Sequence, residues 1–169
     1  MNTLLRFFAL RASDRTLLLT ASVALLRAQI SLRIVPFRRI ARGIGVRVAE
    51  QPCASLSVEQ DCVARRVRWG IRIATRNAPW QRAMCLAQSL AAMKLLKRYG
   101  IPATLYLGVR QSAGAAPGFD AHAWVWAGTV EVTPRGAESE FVVIACLLQA
   151  GLEKNHGAPG NAAGCALER

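Results

Sequence analysis

The chain has 169 residues, 53% of them hydrophobic, and its 22 lysines and arginines against 10 acidic residues give a formal charge of +12. That length suits one domain burying about 70% of its unfolded surface, and the apolar content excludes a disordered main body. The basic excess predicts attraction to something acidic: nucleic acid, a membrane surface, a peptide or a protein.

Residues 1–50 read as an N-terminal amphipathic helical region. The apolar run "TLLLTASVALL" lies between Arg15 and Arg27. It falls short of the roughly 20 apolar residues a spanning helix needs. Asp14 before it, and the absence of a small-x-small cleavage site after it, argue against a signal peptide. Leu17, Ala21, Ala24, Leu25, Ala28, Leu32 and Val35 form one helical stripe, with Arg15, Ser22, Gln29 and Arg33 on another side. Ser13 is the expected N-cap. Such a helix packs against the domain or makes a peripheral membrane or partner contact. Pro36, Gly43 and Gly45 end the region, and "EQPCAS" is a linker.

Residues 51–150 read as the folded core. Ser57 opens a second helix, with Gln60 in the capping-box position. Val63, Val67, Gly70, Ile71 and Ala74 share one side; Arg65, Arg68, Arg72 and Arg76 line the other. That arginine stripe is a solvated face or a docking surface for an acidic peptide or protein, with Arg68 and Arg72 at its centre. "TRNAPWQRAM" is a loop around Pro79, and a third helix runs from about Cys85 to Tyr99, stopped by Gly100 and Pro102. "ATLYLGVR" and "DAHAWVWA" read as strands, "AG" as a tight turn, "TVEVT" as the returning strand and "EFVVIACLL" as a further strand. The tail, 151–169, rich in Gly, Ala and Asn, is expected to be poorly ordered.

Cys53, Cys62, Cys85, Cys146 and Cys165 form no CxxC pair, and their odd number and irregular spacing do not make a disulfide framework. A reducing cytoplasm follows as the expected location. With two histidines only, His122 and His156, no metal site is expected, nor any cofactor. Cys85 is the distinctive thiol. It follows a proline-containing loop and opens a helix, where free N–H groups favour a thiolate and can receive an oxyanion. His122, on a later strand, is the base candidate outside the tail. Taken singly, each has a structural reading as a buried small hydrophobe or a core histidine. The order of helix-opening Cys, strand, loop and strand-borne His is that of papain-like and transglutaminase-like thiol enzymes. Gln81 could donate to the oxyanion or face water, and Trp80 and Trp124 could wall a cleft or simply pack.

The segment "PWQRAMCLAQSLAAMKLLKRYGIPATLYLGVRQ", followed by "HAWVWAGTVEV", resembles the transglutaminase-like cysteine peptidases of lasso-peptide biosynthesis. The likeness runs from Pro79 to about Val132, and the N-terminal helical stretch is similar as well. The resemblance implies an α+β fold: a transglutaminase/papain-like core with the nucleophile-bearing helix packed on a small antiparallel sheet, preceded by N-terminal helices. It implies a leader peptidase with Cys85 as nucleophile and His122 as base. The helical first 75 residues imply the stand-alone form. Its partners would be a precursor peptide, a separate leader-recognition protein and an ATP-dependent lasso cyclase.

The family's aspartate past the hairpin is missing here. If Ala127-Gly128 is the two-residue turn, His122 lies opposite Thr133 and Glu131 opposite Trp124, about 7–8 Å diagonally from the histidine. Glu131 is then the expected third catalytic group, with Thr133 or a backbone carbonyl as fallback; a one-residue bulge would undo the pairing. Two other readings stay open. One is a transglutaminase-like acyltransferase, in which an amine resolves the acyl-enzyme. The other is a non-enzymatic basic module binding nucleic acid or a partner; nucleic acid is not the expected ligand, because the arginines are not interleaved with aromatics.

Overall fold

The structure, a computed structural model, describes residues 11–48, 55–76, 85–112, 118–134 and 141–149. Among these, four helices are present: α1 (Ala12–Ile34), α2 (Phe37–Ile44), α3 (Val58–Arg76) and α4 (Cys85–Arg98). Five strands accompany them: β1 (Gly45–Val48), β2 (Thr104–Gln111), β3 (Phe119–Ala127), β4 (Val130–Thr133) and β5 (Val142–Gln149). The strands form one sheet in the order β1-β5-β2-β3-β4, antiparallel at every pairing. This is the expected α+β arrangement. Cys53, Trp80, Gln81, His156, Cys165 and the tail lie outside the described residues.

Local chemistry explains most element ends. Ser57 and Gln60 form the capping box of α3, with the Gln60 N–H on Ser57 Oγ (3.2 Å) and the Ser57 N–H on Gln60 Oε1 (3.0 Å). α4 ends in a Schellman motif. Gly100 takes a φ of +67°, its N–H reaches the Lys97 carbonyl (3.1 Å), and the Ile101 N–H reaches Leu96 (3.0 Å). α1 differs from expectation at its start. Arg11 is the N-cap without a side-chain bond, and Ser13 lies inside the first turn. Pro36 does not simply end the helical region; it precedes the short helix α2, which its fixed φ suits, and the chain then enters edge strand β1.

The core forms where the apolar stripes of the helices meet one face of the sheet. Leu25 of α1, Val67 and Ile71 of α3 and Leu95 and Leu96 of α4 join Leu105, Val125 and Val130 in one cluster. Gly70 lets α1 and α3 approach closely, since a Cβ there would stand 3.1 Å from Leu17 Cγ. A partly buried ion pair ties the same two helices, Arg66 Nη2 to Asp14 Oδ1 at 2.8 Å. The arginine stripe of α3 is external as expected: Arg65, Arg68, Arg72 and Arg76 are all exposed.

Gln29 departs from the wheel drawn for α1, being buried rather than outward. So does the count of apolar residues. α1 continues beyond Arg27, and at 23 residues it is long and apolar enough, by length and composition, to cross a membrane.

Candidate active site

Cys85 is the first residue of α4, half-buried against the edge of the core cluster, and its thiol is free. One helical turn later, Ser89 is fully buried and donates from Oγ to the Ala123 carbonyl (3.0 Å), with Thr133 Oγ1 at 3.2 Å. Thr133 Oγ1 also accepts the Val125 N–H (2.9 Å). Alternate backbone groups of a strand point to the same side, so the Ala123 carbonyl and the Val125 N–H both face the edge where β4 lies. α4 therefore meets β3 at the edge that β4 leaves after Thr133. Cys85 starts the turn before this contact, about 6 Å along the helix from Ser89.

His122 is half-buried on the sheet face turned away from the aliphatic core; Ala123, Val125 and Ala127 alternate to the other face. Its ring stacks near Trp124 (centroids 6.0 Å apart) and against Phe141 (5.2 Å). Nε2 lies 2.9 Å from the Pro134 carbonyl oxygen. A carbonyl only accepts, so Nε2 carries the hydrogen, and in the neutral ring Nδ1 keeps its lone pair. Among the described residues, no hydrogen bond joins the Cys85 thiol to His122.

Trp124 is the floor of this aromatic group and no cleft wall: it is 2% exposed and stacked on Tyr106 at 5.7 Å with 7° between planes. The stack needs a glycine opposite His122. A Cβ on Gly108 would lie 2.8 Å from Trp124 Cη2 and 3.1 Å from Phe141 Cβ.

The expected pairing of Glu131 is corrected by the register. The tight turn is Gly128-Thr129, one residue later than expected, with Gly128 at φ +55° and its Cα face against Leu56. Ala127 therefore pairs with Val130, and Trp126 with Glu131. A bulge then intervenes, and Val125 pairs with Thr133. Glu131 stands opposite Trp126 rather than Trp124, four residues along β3 from His122, which is about 13 Å. Thr133 is turned to Ser89 and Val125 instead of His122. The group that meets the histidine is the main-chain carbonyl of Pro134, the backbone-carbonyl fallback to Glu131. Arg68 and Arg72, on α3, belong to a separate exposed surface.

A cysteine opening a helix against an antiparallel sheet, with a histidine on the adjoining strand, defines a class of thiol-chemistry α+β domains. The chain belongs to the transglutaminase-like superfamily, whose family model matches residues 23–146, and whose domains generally act as cysteine proteases or acyltransferases. No curated protein and no solved structure is similar enough to this chain to count as a match.

Proposed function

We propose that the protein is a cysteine peptidase that cleaves the leader from a ribosomally made lasso-peptide precursor, with Cys85 as nucleophile and His122 as base. The observation that carries the chemistry is the Ser89–Ala123 bond, which ties the first turns of the thiol-bearing helix to the residue beside a histidine already oriented through Nε2. The leader-peptidase specificity is supported by the sequence likeness between Pro79 and Val132.

In this reading Nδ1 of His122 takes the Cys85 proton as the sulfur attacks the scissile carbonyl. The tetrahedral intermediate collapses, the C–N bond breaks, and the imidazolium gives its proton to the leaving amine. Water then attacks the thioester, losing a proton to His122, and the leader acid departs as the thiol is restored. Contacts of this kind often close only around bound substrate. The Pro134 carbonyl fills the orienting role that the family gives to an aspartate. Arg68 and Arg72 dock the leader or its recognition protein, and the freed core passes to an ATP-dependent cyclase in the cytoplasm.

The test is precursor peptide incubated with the protein and the leader-recognition protein in heavy-oxygen water. The expected product is a leader whose new carboxylate carries the heavy isotope, formed more slowly when Arg68 and Arg72 are both changed to Glu. An unlabelled leader joined to an added amine would favour the acyltransferase instead.

A further inference from the structure

α1 carries a second apolar stripe, on the side opposite its buried one. Leu17, Leu18, Ala21, Ala24, Leu25 and Ala28 face the core. Leu19, Val23, Leu26, Ile30 and Ile34, at the three- and four-residue spacing of one helix face, are between 46% and 75% exposed. The stripe runs about 22 Å along the outward side of the helix, and Leu19 and Val23 also line the groove between α1 and α4.

Basic side chains border the stripe on both sides. A helical projection sets Arg15 and Arg33 along one flank and Arg27 along the other, where Lys94, Lys97 and Arg98 of α4 continue it across a groove of about 540 Å³. The acidic residue of α1, Asp14, is buried against Arg66, and α4 has none. The positive border is therefore not neutralised from within these two helices.

The polar groups between the apolar side chains are also turned inward. Thr16, Thr20 and Ser22 donate their hydroxyl hydrogens to the carbonyls of Ala12 (3.0 Å), Thr16 (2.7 Å) and Leu18 (2.9 Å). Hydroxyls spent on their own helix ask nothing of a protein partner, and they lower the cost of leaving water for hydrocarbon.

We propose that this face of α1 docks the protein on an anionic lipid surface, the helix lying in the interface with its aliphatic stripe among the acyl chains and its arginines and lysines at the headgroups. Spanning is incompatible with the fold, because the opposite side of α1 holds core residues and the Asp14–Arg66 pair. An apolar stripe combined with flanking cations supplies the two signals that stable peripheral attachment requires.

The full chain is sedimented with phosphatidylcholine vesicles and with vesicles that also contain phosphatidylglycerol. Binding is expected on the anionic vesicles only, falling as salt rises. Leu26→Glu with Ile30→Glu should reduce it to background, while Lys94→Gln and Lys97→Gln should each weaken it about fivefold. Both sets lie on the surface, so circular dichroism should be unchanged, and peptide cleavage in solution should persist. Failure to bind anionic vesicles, or equal binding by the double glutamate variant, would overturn the proposal. So would a wild-type dimer in analytical ultracentrifugation that this variant turns into monomer, since a second copy would then be the occupant.

Discussion

Gly108 shows how a residue without a side chain shapes the candidate site. It pairs with His122 across β2 and β3, and the Trp124 ring lies over it. Gly108→Ala should force the ring to shift and cost about 1–3 kcal/mol in urea unfolding, the usual penalty for overpacking. Tryptophan fluorescence should change with it, because the Tyr106–Trp124 stack cannot survive a contact of 2.8 Å. The sequence placed Cys85 at a helix start and His122 in a strand, since both need only local pattern. It left open which group holds His122, with Thr133 or a backbone carbonyl as the fallback to Glu131, because a bulge of one residue in β4 has no side-chain signature. Once the turn moved to Gly128-Thr129, every pairing beyond it moved too. A backbone carbonyl, present at all positions alike, became the histidine's partner.

At the scale of elements, the contact between α4 and the β3–β4 hairpin is the joint on which the site depends. Ser89, Thr133 and the backbone of Ala123 and Val125 form one buried polar cluster, and the residue after Thr133 supplies the carbonyl to His122. Ser89→Ala and Thr133→Val should each lower kcat about tenfold to a hundredfold, with KM little changed, because small displacements of a catalytic group are costly. A purely structural role would lower stability but leave the His122 ring as it is. Nitrogen-15 NMR should instead show a weaker preference for the Nε2-protonated tautomer in both variants. Helix ends were legible in the sequence where residue type makes them, as in the capping box of Ser57 and Gln60 or at Gly100, whose lack of a Cβ allows a positive φ. The edge strand β1 was not, because Gly43 before it and Gly45 at its start read as simple breakers and its pairing partner, β5, is about 100 residues away.

For the whole molecule, one core unites the N-terminal helix with α4 and the sheet: Leu25 of α1 and Leu96 of α4 share the cluster that Val125 and Leu147 complete. The family match, beginning at residue 23 within α1, agrees with that union. The helices and strands were legible from helical apolar stripes and from branched and aromatic runs, and the α+β architecture followed from the resemblance. The second apolar stripe of α1 was hidden, since a wheel read for one buried face counts the remaining aliphatic residues as background. Only the packed structure separates Leu25, fully buried, from Leu26, 51% exposed.

The central claim, that Cys85 and His122 act together on a peptide bond, is tested most directly by mass spectrometry of precursor peptide incubated with the protein and the leader-recognition protein. Cleavage should be lost in Cys85→Ala and in His122→Ala, and kept at full rate in Glu131→Gln, whose carboxylate the register carries away from the histidine. Cleavage retained by both the Cys85→Ala and the His122→Ala proteins would contradict the account.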